Sequence, residues 1–152
     1  MLSFDNYINI HQPHLYLGSE LINESEFDIR VIDVLYMDYI QDSMLDKFNE
    51  EWTRECLEHS FRHWKYYGLF EGNQIKGFIS VQDSDKQVEV GNLISDSKGG
   101  GTALMTFIKE KFGKDIFLYC VDEPTTAFYK KQGFDFIDLP RNPYIPMIYR
   151  HK

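Results

Sequence analysis

The sequence predicts an α+β domain built on a mixed antiparallel and parallel sheet flanked by helices. Three observations carry that expectation. Short runs rich in β-branched and aromatic residues recur with turn signals between them, at E-G-N-Q and D-S-D-K. Longer stretches carry apolar residues at helical spacing instead. A K-G-G-G turn then joins a strand-like run directly to a helix, so the pairing changes there from an antiparallel meander to a crossover.

In chain order, residues 1–26 show no period and contain Pro13, Gly18 and a polar N-E-S-E run. They are expected to form an N-terminal extension that packs on the domain or varies in order, with the domain itself at 27–152. Phe27 to Leu35 reads as a strand. Asp38 to Trp64 follows as amphipathic helix: Ile40, Met44, Phe48, Trp52 and Cys56 are spaced by four, and Leu57, Phe61 and Trp64 continue the stripe. Asn49 before Glu50 and Glu51 offers an internal cap, so two shorter helices fit as well as one. Y-Y-G-L-F, I-K-G-F-I-S-V and V-E-V-G-N-L-I are expected as a three-strand meander. Thr102 to Phe112 is a helix stopped by Gly113, and Ile116 to Val121 a short buried strand. Pro124 suits the first turn of a helix that reaches Lys131. A hairpin-like segment from Phe134 to Tyr149, interrupted by Pro140, Pro143 and Pro146, closes the chain.

A length of 152 residues suits one domain with a real core, and 43% hydrophobic residues with 16% aromatics are more than a disordered chain carries. The net charge of -8 disfavours nucleic acid and anionic membranes as partners and would favour a basic acceptor such as an amine, although a generic solvated acidic surface explains it more simply. Cys56 and Cys120 make no disulfide framework. No apolar run approaches the ~18 residues of a membrane span, and M-L-S-F-D-N-Y lacks a basic leader region, so a cytoplasmic protein is expected. Glu55, His59 and His63 share a helix face, but the spacing is not H-E-x-x-H and no metal is expected there.

Gly99, Gly100 and Gly101 precede a helix, where small residues let backbone N–H groups converge on an anion at the positive end of the helix dipole. Lys98 adds charge, and Thr102 opens the helix. The plainer alternative is a flexible loop. Glu89, in V-E-V-G-N-L, reads by itself as an exposed strand carboxylate. Strict alternation puts Glu89, Gly91 and Leu93 on one face, and Val88, Val90 and Asn92 on the other, unless a bulge resets it.

These segments together resemble the GNAT superfamily of acyl-CoA-dependent N-acyltransferases, from about Phe27 to the end of the chain. Gly99 and Gly101 match the two glycines of its [QR]-x-x-G-x-G turn, although Asp96 stands where Gln or Arg is usual and the connection is about four residues short. A-F-Y-K-K-Q-G-F matches its [LF]-Y-x-K-x-G-F pattern. The resemblance implies acetyl-CoA as co-substrate and an amine acceptor, with direct attack and no metal. It also implies Glu89 as base and Tyr129 as the acid that protonates the departing sulfur; the alternative for Tyr129 is a buried structural tyrosine. Backbone at Leu93, Ile94 and Ser95 would bind the pantetheine arm as an added strand, and Asp122 falls where many members have a cofactor-contacting Asn. Two other readings stay open: a catalytically degenerate binding or assembly module, and an acyltransferase whose donor is an acyl-carrier protein. Neither the acceptor nor the choice between monomer and homodimer can be read.

Overall fold

The computed structural model describes residues 27–33, 36–40, 54–120, 122–141 and 143–152. The expected extension at 1–26, the Asn49 cap, and Met44, Phe48 and Trp52 lie outside them, as do Leu35 and Val121. The elements are β1 (Asp28–Ile32), α1 (Met37–Tyr39), α2 (Arg54–His63), β2 (Lys65–Glu71), β3 (Gln74–Asp83) and β4 (Gln87–Ser95). They continue as α3 (Gly100–Phe112), β5 (Asp115–Cys120), α4 (Glu123–Lys131), β6 (Asp135–Phe136) and β7 (Ile145–Tyr149).

The strands form one seven-stranded sheet in the order β1-β2-β3-β4-β5-β7-β6. Every neighbouring pair is antiparallel except β4 and β5, which are joined by the crossover through α3. The meander and the switch in pairing at the glycine turn match the sequence reading. The C-terminal segment differs in detail. Pro146 does not end the strand but sits inside β7 opposite Tyr119, its carbonyl accepting from Ile137 N–H at 3.2 Å.

Alternation along the strands sorts the core into two layers. Tyr67, Leu69, Ile79, Val81, Val88 and Val90 pack against Leu104, Met105 and Ile108 of α3. Ile32, Tyr66, Phe70, Ile75 and Phe78 meet Met37, Ile40 and Leu57 on the opposite face. Leu57 of α2, with Met37 and Ile40, thus covers part of one face of the sheet, and α3 covers the other.

Candidate active site

β4 is where the sheet is irregular. Its ladder with β5 comprises three pairs, the last being Glu89 with Phe117. Beyond that point β4 stays laddered to β3, and β5 to β7, but not to each other. The β3–β4 register shifts at the same level: Ser80 faces Asn92 and Val81 faces Val90, so Gly91 is the extra residue of a bulge. The bulge resets the alternation. Leu93 joins Val88 and Val90 in the α3-side layer rather than sharing the face of Glu89, which corrects the expectation from strict alternation. Gly91 is required by close approach, since a Cβ there would lie 2.9 Å from Cζ3 of Trp64. Asn92 anchors the bulge through its N–H and Nδ2, which donate to Ser80 Oγ at 2.9 and 3.0 Å.

β4 leads directly into the glycine turn. Ser97 N–H donates to Ser95 Oγ at 3.0 Å, and Gly100 N–H to Ser97 O at 3.1 Å. Gly99 adopts φ 75°, a left-handed conformation that disfavours any side chain. The helix begins at Gly100, two residues before the expected Thr102. Gly100 therefore differs from the role assigned to it by sequence. Its N–H is already spent, and a Cβ would collide with Ser95 Oγ and stand 2.7 Å from Leu69 Cδ2. It is glycine so that the helix can rest on β2 and β4. The N–H groups of Gly101 and Thr102 remain as first-turn donors with no acceptor among the described residues. Lys98 is exposed beside them. Leu93, Ile94 and Ser95 are fully buried, backbone and side chain alike. Thr102 Oγ1 accepts from Gln132 Nε2 at 3.1 Å, while Gln132 O accepts from Lys109 Nζ at 2.5 Å. Gln132 thus fastens α3 to the end of α4, a role that its place in K-K-Q-G did not suggest.

The two proton-transfer candidates lie in different surroundings. Glu89 is half-buried and lines a cavity of about 430 Å³ with His63, Lys65, Gln82 and Asp83. Tyr129, on α4, is 0% exposed and its hydroxyl oxygen is buried. Its ring meets Phe128 and Phe134 edge-on at centroid distances of 5.1 and 5.5 Å. None of the three cavities of about 670, 430 and 150 Å³ is lined by both residues. Asp122 caps α4, its Oδ1 accepting from Thr125 N–H at 3.0 Å. That carboxylate oxygen is occupied by a cap, which sequence spacing before Pro124 could have shown. Cys120 is buried against Met147, and burial, then Asp122 and Glu123, push its thiol far above the ordinary range, so it is no nucleophile. The His59 and His63 rings lie 4.4 Å apart on α2, tilted by 49°. Among the described residues no group of three or more His, Cys, Asp or Glu is placed to hold a metal ion, and no helix is long and apolar enough to cross a membrane.

No protein-family model and no curated protein sequence matches the chain. Solved structures do match. The ribosomal-protein-S18-alanine N-acetyltransferase of Escherichia coli superposes with a TM-score of 0.70 at 14% identity, over 83% of this chain and 94% of its own. Ard1 from Thermoplasma volcanium gives 0.68 at 18% identity, over 84% and 99%. The PaiA N-acetyltransferase of Thermoplasma acidophilum, in complex with coenzyme A, gives 0.61 at 18% identity, over 82% and 99%. The chain has the fold of the GNAT N-acetyltransferases.

Proposed function

We propose that this chain is an acyl-CoA-dependent N-acetyltransferase that passes an acetyl group from acetyl-CoA to an amine. The observation that carries the reading is the end of the β4–β5 ladder at Glu89, next to a bulge and one strand's length from the N-terminus of α3. The β4 backbone that carries no ladder to β5 beyond Glu89 is what an extended arm would pair with once the two strands part, and the helix terminus gives a phosphate two N–H donors and a positive dipole end. The residues present fit acetyl-CoA in this way, with Leu93 to Ser95 offering backbone and Gly99, Gly101, Thr102 and Lys98 surrounding the pyrophosphate.

Acetyl-CoA supplies an acyl group already activated as a thioester. Glu89 takes the proton that keeps the incoming amine from attacking, directly or through water, from a cavity open to the acceptor. Tyr129 gives its hydroxyl proton to the departing sulfur, its ring fixed edge-on between Phe128 and Phe134. Calorimetric titration with acetyl-CoA, followed by an assay of released thiol across a panel of amines, tests the proposal. Tight binding and amine-dependent release support it. Binding without release from any acceptor favours the degenerate module, which the short glycine turn and Asp96 independently suggest; failure to bind, with acceptance of an acyl-carrier donor, moves the chemistry to that donor.

A further inference from the structure

We infer that the chain forms a homodimer by pairing β1 with β1 of a second copy, antiparallel and centred on Ile29. The inference does not depend on the transferase reading. β1 and β6 are the two edges of the sheet. β6 is two residues long, whereas β1 has five and pairs with β2 from Asp28 to Ile32 without a bulge. Among the described residues no strand pairs with its outer side. A regular edge presents N–H and C=O groups spaced for another strand, and proteins usually blunt such an edge with Pro, Lys or a bulge. The run F-D-I-R-V has neither Pro nor Lys.

This edge is complementary to itself about Ile29. A two-fold axis through that residue sets Ile29 against Ile29 of the second copy, Asp28 against Arg30, and Phe27 against Val31. Directly opposed residues of antiparallel strands share one face of the sheet, with Cβ atoms about 4.5–5.5 Å apart. The charged pairs fall on the α2 face, where Arg30 lies over the Phe70 ring at 3.8 Å. The apolar pairs fall on the α3 face, where Phe27 and Ile29 pack on the core. Arg30 Nε already meets Asp28 Oδ2 at 2.8 Å, with the two side chains 44% and 66% exposed. Two copies therefore close a ring of two carboxylates and two guanidinium groups at the surface. Val31 is 55% exposed, more than any other large hydrophobic residue among those described, and Phe27 of the second copy covers it. Phe27 and Ile29 also form a cavity of about 150 Å³ with Ala103 and Phe107 of α3, and the pairing lays the second Val31 beside Phe27 at its wall. Val31 borders the cavity of about 670 Å³ as well, so the added strand runs along that rim. Moving the axis by one residue sets Asp28 against Asp28 or Arg30 against Arg30, which is repulsive. The match is with this chain's own sequence, and that selects a second copy over an arbitrary extended peptide.

Sedimentation velocity on the full chain, from low to several hundred micromolar, should show a concentration-dependent dimer. Asp28→Arg or Arg30→Asp alone opposes like charges at both pairs related by the axis, and each should raise the dimer Kd about tenfold or more. An equimolar mixture of these two variants restores opposite charges at both pairs and should associate about as tightly as the parent. Arg30 also donates to Gly72 O at 3.3 Å, so a melting curve checks that Arg30→Asp is folded. Val31→Lys, at an exposed position, is a second disruption that leaves those contacts in place and should weaken the dimer as well. A chain that stays monomeric at every concentration overturns the inference and leaves the edge to residues 1–26 or to another protein. A dimer whose Kd ignores all three variants also overturns it, because the copies are then joined elsewhere. Neither outcome bears on acetyl transfer, which is read separately by thiol release.

Discussion

The face of the sheet that carries α3 and α4 is closed, and the face that carries α2 is open beside Glu89. On the first, Gly100 N–H, Thr102 Oγ1, Gln132 and Lys109 are all engaged with one another or with the turn, and Tyr129 lies fully buried among Phe128 and Phe134. On the second, His63 and Lys65 border two cavities and Glu89 one of them, and Arg62 and Lys65 enter no ion pair among the described residues. The difference follows from what each side would bind. A nucleotide donor with a fixed shape is met by backbone and a rigid helix end, which a packed core holds in register. An acceptor is recognised by side chains, and these need space. Stability should therefore be concentrated on the α3 side, and specificity on the α2 side.

The sharpest way to break that division is Tyr129→Phe. If the closed face supplies the acid, turnover should fall roughly 10²–10⁴-fold while stability changes by only about 1 kcal/mol, the net value of one hydrogen bond. Acetyl-CoA affinity should hardly move, since the hydroxyl acts on charge that develops in the transition state. A melting curve and a thiol-release assay decide it, and normal turnover with a lower melting point would make Tyr129 a core residue only. Glu89→Gln probes the open face. Turnover at pH 7 should fall by about 10², and the deficit should shrink as pH rises and free amine accumulates. A pH–rate profile parallel to that of the parent would remove Glu89 from the chemistry.

Gly100→Val separates packing from anion binding within the glycine turn. The contacts with Ser95 and Leu69 leave no room for a side chain, so unfolding free energy should drop by about 1–3 kcal/mol, as for other overpacked cores. Gly101→Glu instead places a negative charge at the helix end and should weaken acetyl-CoA binding with the fold retained. Denaturant titration and calorimetry on both variants check the pair; equal loss of stability in the two would mean that the turn is packing throughout.

Much of this division was legible in the sequence, and the failures have physical causes. The meander, the crossover and the glycine turn could be read because each has a local signal: period, turn residues, or consecutive glycines. Leu93 was placed on the wrong face because a bulge at Gly91 leaves no mark in hydrophobic alternation until the partner strand is known. Trp64 continued an apolar stripe and looked like core, yet its ring also covers Gly91 and borders a cavity. Gln132 joins elements 30 positions apart through Thr102, and no short window contains both. Tertiary approach, rather than propensity, fixed all three.

The smallest expected effect tests the fastening of the closed face. Lys109 Nζ donates to Gln132 O at 2.5 Å and lies 4.5 Å from the Tyr149 ring centroid. Lys109→Met keeps the apolar stem but removes the donor, so the loss should be no more than about 1.5 kcal/mol. Burial lowers the Lys109 pKa from its ordinary value of 10.5. The unfolded chain therefore holds this proton more tightly than the native state, and stability attributable to Lys109 should rise as pH climbs through the window just below 10.5. Below the lowered native pKa both states are protonated, and the contribution is flat. Subtracting the pH–stability curve of Lys109→Met from that of the parent isolates this group from the other lysines and tyrosines that titrate nearby. A difference that rises toward pH 10 fits a cation held partly desolvated between α3 and the end of α4. A flat difference would mean that Lys109 is solvated in solution and that α3 and α4 are held together by their apolar contacts alone.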